Sequence, residues 1–152
     1  MLDKKKKMKE RFKMREIDPQ AYKAMLGLET YMAGTDIAPL HKELIKVRAS
    51  QINGCAYCIN SHTRDARKLG ETEQRLYLLN AWRESPQFTD EERIILAMTE
   101  EITLIHQQGL TDATYEKAIA AFGIQKTAAL IMAVLTINAW NRIGISTHLQ
   151  PE

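Results

Sequence analysis

An all-α fold follows from three features of the sequence. Apolar residues make up 45% of the 152-residue chain and recur at three- and four-residue spacings, while strand-like alternation is scarce. Four prolines and seven glycines are few for a chain of this length. Capping residues stand at the joints between the periodic stretches. The length suits one domain with a core that needs no disulfide stapling. A single bundle of about seven helices is therefore expected over residues 18–152, preceded by a basic arm over residues 1–17.

The arm carries Lys4 to Lys7, Lys9, Arg11, Lys13 and Arg15, interspersed with Met8, Phe12, Met14 and Ile17. Its apolar face is thin, so a frayed, solvated segment is expected rather than a membrane-surface helix. Asp18-Pro19 then starts the first bundle helix, with Asp as cap and Pro in the first turn, and Gly34 stops it. Asp36 and Pro39 are read as the start of the second, whose stripe of Leu40, Leu44, Ile45 and Val47 runs to about Ile52. A third begins at the two cysteines and ends at Gly70; Thr72-Glu73 opens a fourth through Leu76, Leu79 and Trp82, broken before Pro86. Thr89 to Glu92 matches a capping box and starts a fifth through Ile94, Met98, Ile102 and Ile105, with Gly109 as its stop. Thr111 caps a sixth that Gly123 ends, and a seventh spans about Gln125 to Arg142. Because it is apolar around most of its circumference, the seventh should lie at the centre of the bundle or in a subunit interface.

Charge and targeting features exclude several classes. A net charge of +2 is too small to argue for nucleic acid. The lysine run is not followed by the apolar segment of a secretory signal, and the longest unbroken apolar run, Ala128 to Leu135, is too short to span a bilayer. A cytoplasmic protein is expected. In that compartment two cysteines three residues apart read as redox-active or metal-binding rather than as a disulfide framework.

Cys55, Cys58 and His62 follow Asn53-Gly54, a helix stop and turn signal. At the start of a helix the three side chains share one stripe. Free N–H groups and the helix dipole there favour a thiolate, and a nearby imidazole exchanges protons at neutral pH. Helical positions three apart also have Cα atoms about 5 Å apart, within disulfide reach. Zinc is a second reading of the pair, though a closed site needs four ligands and only Cys55, Cys58 and His62 are at hand. Haem attachment fails because Ile59, not His, follows the second cysteine, and a thioredoxin fold would require strands around the motif. Two buried structural cysteines are the bland reading. Glu43, twelve residues before Cys55, is the candidate carboxylate that a helical hairpin hinged at Asn53-Gly54 would return toward His62 to orient the ring, though periodicity alone does not raise it above a solvated helix glutamate. His41, His106 and His148 read as surface or helix-end residues, Trp82 and Trp140 as packing anchors, and Arg48 as a surface ion pair.

The run LIKVRASQINGCAYC from Leu44 to Cys58, followed by His62, resembles the core motif of the AhpD-like alkylhydroperoxidases within the carboxymuconolactone decarboxylase superfamily. The match is specific from about Pro39 to Trp82 and includes the spacing E-x11-C-x2-C-x3-H. It implies an all-helical protein that assembles as a trimer or hexamer and reduces hydroperoxides without metal, flavin or haem, its disulfide being reset by an external dithiol. It implies further that Cys58 attacks, Cys55 resolves, and His62 and Glu43 relay the proton. The sequence departs from the best-matching pattern at Tyr57, where that pattern has a second His between the cysteines. The decarboxylase branch lacks the paired cysteines, so their presence speaks against that activity. A thiol peroxidase is the function this predicts. The alternatives are a helical oligomer whose cysteine pair is a redox sensor or structural lock, and a metal-binding module.

Overall fold

The computed structural model describes residues 8–151, so the Lys4 to Lys7 run lies outside the described residues. Among the described residues the regular structure is entirely helical: α1 (Met14–Ile17), α2 (Pro19–Ala33), α3 (Pro39–Asn53), α4 (Ala56–Lys68), α5 (Glu73–Leu78), a 3-10 segment (Leu79–Glu84), α6 (Asp90–Thr103) and α7 (Asp112–Thr147).

Most helix starts follow the sequence. The Asp18 carboxylate accepts from the Ala21 amide at 2.9 Å, with Pro19 in the first turn. The capping box closes in both directions, Glu92 N–H to Thr89 Oγ1 at 3.2 Å and Thr89 N–H to Glu92 Oε2 at 2.8 Å. Thr111 caps α7 through the Thr114 amide at 3.3 Å. At α3, by contrast, the cap position is Ala38, without a side-chain bond, and not Asp36. Pro39 supplies the preset φ there, which is sufficient to start the helix.

Three further boundaries differ from expectation. Helix α6 ends at Thr103, and Ile105 stands exposed in the turns before Gly109. The Thr72–Trp82 stretch begins as α-helix and tightens to 3-10 from Leu79, with Ala81 out of helical conformation. The sixth and seventh helices meet at Gly123 as expected, which at φ 75° and ψ 168° parts α7 into 112–122 and 124–147. That backbone conformation is open only to glycine, so the break is written into the sequence. The second part continues past Arg142 until His148 turns left-handed at φ 57°.

Helix α3 is central and packs against α4, α6 and α7. One of its faces, with Ile45 and Ala49, joins Ile95 and Met98 of α6 and Leu130, Val134 and Ile137 of α7. Its other face, with Leu44 and Val47, meets Ala66, Leu76, Leu79, Trp82 and Leu96. Burial of about 1.5–3 kcal/mol per large apolar side chain on both sides of one helix fixes its axis and rotation. Helix α7 is long and apolar enough by composition to cross a bilayer. Here its inward face packs on α2, α3 and α6 and carries the buried Thr127, Thr136 and Asn141. Its other face exposes Ile124, Ala128 and Leu135.

The arm is not free along its described length. Met14–Ile17 makes one helical turn, and the Arg11 amide and guanidinium donate to the carbonyls of Thr147 (2.9 Å) and Ser146 (3.0 Å). The carboxyl end of a helix leaves its last carbonyls unpaired and partly negative, and a cationic donor satisfies both needs.

Candidate active site

Asn53-Gly54 makes the hinge that the site requires. Gly54 adopts φ 72°, ψ 31°, ending α3 and reversing the chain into α4, while the Cys55 amide donates to the Ser50 carbonyl at 3.0 Å. Cys55 is the N-cap of α4, and its sulfur accepts from the Cys58 amide at 3.3 Å. This is the place a Ser or Asp oxygen usually takes, and the dipole that favours an oxygen there favours sulfur anion as well.

Cys55 and Cys58 form a disulfide across a Cα separation of 5.3 Å. The sulfurs are thus bonded to each other, and neither is a metal ligand in this state. Both residues are deeply buried, Cys55 at 2% and Cys58 at 4% exposure. As the residue nearer the helix start, Cys55 would be expected to be the more exposed of the two. The structure corrects this: its sulfur turns inward as a cap, beneath α7, where the Cβ position of Gly144 lies 3.4 Å from Cys55 Sγ.

One turn along α4 from Cys58, on the same face, stands His62, at a Cβ spacing of roughly 5–6 Å. Its Nδ1 meets Glu43 Oε2 at 2.9 Å across the α3–α4 hairpin, and the other carboxylate oxygen accepts from Lys46 Nζ at 2.9 Å. Glu43 is 7% exposed. Burial pushes its pKa up, but the hydrogen bonds from His62 and Lys46 and the charge of Lys46 outweigh that and hold the carboxyl below its usual value of 4.5. An ionised carboxylate only accepts, so His62 Nδ1 carries the hydrogen and Nε2 is the nitrogen left to take a proton. The structure therefore brings Glu43 and His62 together and sets His62 one turn from the Cys55–Cys58 pair. Lys46 was not singled out from the sequence, although its spacing of three from Glu43 was the available signal.

The other candidates fall elsewhere. Half-buried His41 has its Nδ1 buried without a hydrogen-bond partner, and Glu43 bonds to His62 and Lys46 instead. Arg48 is no surface pair: mostly buried, it donates to Glu100 Oε1 at 2.9 Å. The same carboxylate accepts from Trp82 Nε1 at 2.9 Å and pairs with Arg83. Trp82 is buried in the core, and Trp140 stacks edge-on with Tyr22 at 5.7 Å. His106 is exposed and His148 ends α7, as expected of helix-end residues. Tyr57 is half-buried on α4.

A polar network that the sequence did not announce ties α3 to α7 beside the disulfide. Asn141 Nδ2 donates to Ser50 Oγ at 2.9 Å, and Asn53 Nδ2 donates to Asn141 Oδ1 at 2.9 Å and Asn138 Oδ1 at 3.0 Å. Ser50 and Asn141 are 91 residues apart, beyond any local pattern. Glu43, His62 and Asp65 place one ligand atom each within 4.8 Å of one another. Yet Lys46 and Lys68 already neutralise the two carboxylates at 2.9 Å, which opposes a cation. A groove of about 430 Å³ between Trp82, Ile94, Glu101 and Lys117 contains none of these residues, so concavity does not mark the chemistry here.

Known proteins carry the same arrangement of helices. The model of the carboxymuconolactone decarboxylase family matches residues 19–101. The uncharacterized protein YdfG of Bacillus subtilis is 42% identical over 139 residues, 91% of this chain and 95% of its own. A crystal structure from Agrobacterium tumefaciens, of a protein of unknown function called a putative antioxidant defence protein AhpD, superposes with a TM-score of 0.91 at 35% identity, covering 95% of this chain and 99% of that one. The apo debrominase Bmp8 shares the fold at a TM-score of 0.72 and 22% identity, over 88% of this chain and 72% of its own. Its likeness extends to the fold alone. With the family motif, the cysteine pair and the helical topology in agreement, the chain belongs to the carboxymuconolactone decarboxylase family, among its AhpD-like members.

Proposed function

We propose that this protein is a cytoplasmic thiol peroxidase that reduces hydroperoxides through Cys58 and Cys55, with Glu43 and His62 relaying the proton. Cys58 thiolate attacks the O–O bond, which breaks. The sulfur becomes a sulfenic acid and the alcohol departs with a proton delivered from His62. Cys55 then attacks the Cys58 sulfur, a disulfide forms and water leaves. The sum is one hydroperoxide and two thiols giving one alcohol, one water and one disulfide. An external dithiol resets the pair by exchange through a mixed disulfide.

The observation that carries this reading is the 2.9 Å pair between Glu43 and His62, held one helical turn from a cysteine pair bonded at the start of the same helix. A structural disulfide has no use for an oriented, partly buried imidazole. The pair also stands where a helix dipole stabilises the thiolate. The exposed stripe of Ile124, Ala128 and Leu135 on α7 supports assembly with further copies, as a trimer or hexamer.

The test is to mix reduced protein with one equivalent of tert-butyl hydroperoxide and count free thiols over time. Rapid loss of two thiols per chain is expected, and Cys58→Ser should abolish it. Unchanged thiols in the native chain would leave the pair as metal ligands or as structural cysteines and overturn the proposal.

A further inference from the structure

Gly144 on α7 faces the disulfide. An ideal Cβ there would lie 3.4 Å from Cys55 Sγ and 3.9 Å from Cys58 Sγ, ordinary contact distances. A methyl group would therefore fit against the bonded sulfurs. Fitting against separated ones is another matter. Once the bond opens, the sulfurs must part to van der Waals distance, on the order of 3.5–4 Å, from a bond of about 2.05 Å.

The surroundings restrict where that movement goes. Cys55 is 2% exposed, so its sulfur cannot swing freely into solvent. Its backbone is tied to α3 through Ser50, and the Cys58 amide lies against the sulfur at 3.3 Å. Helix α7 cannot simply retreat. Asn141, one turn before Gly144, is bonded to Ser50 Oγ at 2.9 Å, and the Gly144 carbonyl is held by the Leu149 amide at 2.9 Å. Toward α7 the Cys55 sulfur faces a residue without a side chain, Gly144.

We propose that Gly144 is a positioning residue: its missing side chain keeps open the space that the Cys55 sulfur takes up when the disulfide is reduced, and so sets how readily the pair opens. The inference rests on reading Cys55–Cys58 as a reversible couple. The step is two-electron exchange with a small dithiol: the protein S–S bond breaks, two protein thiols form with two protons, and the dithiol closes to its cyclic disulfide. Gly144→Ala should leave the disulfide form intact and penalise the dithiol form, because overpacking costs energy only where the neighbour moves into it.

The experiment titrates native protein and Gly144→Ala in mixtures of reduced and oxidised dithiothreitol and reads the fraction of protein thiols, with thermal melts of both redox forms. The variant should need at least a tenfold higher ratio of reduced to oxidised reagent at its midpoint, equivalent to about 30 mV. Its oxidised form should melt at or above the native temperature, as Ala favours a helix over Gly. A midpoint within twofold of native, or equal loss of melting temperature in both forms, would overturn the idea. If Gly144→Ala folds only when oxidised, Cys55→Ala in the same chain should restore a stable reduced form; failure to do so also overturns it. Native protein that cannot be cycled in these mixtures sinks it as well. Hydroperoxide consumption measured in parallel separates the two readings. A shifted midpoint without consumption upholds the role of Gly144 and removes the peroxidase reading, and an unshifted midpoint with normal consumption does the reverse.

Discussion

Replacing Glu43 by Gln changes little in shape and removes the charge that organises the site. In the native chain both carboxylate oxygens are used, one by His62 Nδ1 and one by Lys46 Nζ, each at 2.9 Å. An amide offers one acceptor and one donor, so it can serve one partner and must face the other with an N–H. If Lys46 keeps the oxygen, the amide drives His62 to accept at Nδ1, and Nε2 then carries the hydrogen and no longer takes a proton. Loss of a positioned acid–base group typically costs 10²–10⁴ in rate, or about 2.7–5.4 kcal/mol of barrier at 1.36 kcal/mol per decade. Stability should fall too, by about 1.5–3 kcal/mol for one charged hydrogen bond at a largely buried carboxylate. The assay is the pseudo-first-order rate of Cys58 oxidation by tert-butyl hydroperoxide, with a thermal melt of the same sample. A rate within threefold of native, beside a clearly lowered melting temperature, would reduce Glu43 to a structural ion pair and refute the relay.

The same carboxylate makes a stability prediction with a definite sign. Its folded pKa lies below 4.5, so its contribution is complete above that pH and disappears as pH falls through the folded value. The melting-temperature gap between native protein and Glu43→Gln should therefore be constant from pH 7 to about 5 and close below about 4.5; a gap that widens in acid would contradict the assignment. Cys55→Ser keeps an N-cap oxygen, so α4 should hold to within about 1 kcal/mol by thermal melting, while hydroperoxide should leave a trappable sulfenic acid on Cys58. Leu135→Glu, at the carboxyl end of the exposed stripe on α7, should convert the proposed oligomer to a monomer by light scattering without loss of helix by circular dichroism. Thr89→Ala breaks the capping box of α6 and should cost about 1 kcal/mol in denaturant unfolding.

Legibility followed the range of the interactions. Asp18-Pro19, Thr89 with Glu92, Thr111 and Gly54 act within a turn or two, and each was readable because its partner lies within five residues. Cys55, Cys58 and His62 share a face by helical spacing alone, and one tight hinge sufficed to return Glu43 to them. What resisted was set by distant chain. The inward turn of the Cys55 sulfur sets it against Gly144 of the distant α7, and the polar lock beside it pairs Ser50 with Asn141, 91 residues away. Helix α6 ended early and left Ile105 largely exposed, which periodicity alone could not reveal. The arm's periodic pattern was equally silent about the two carbonyls at the end of α7 that Arg11 finds.

That last contact spans 135 residues between Arg11 and Ser146, with the neighbouring amide bond to Thr147 beside it. It cannot exist until the far end of α7 has reached its place. It acts as a seal applied after assembly. Arg11→Ala would consequently loosen the last turn of α7 alone, read as faster amide exchange there with the rest of the bundle unmoved.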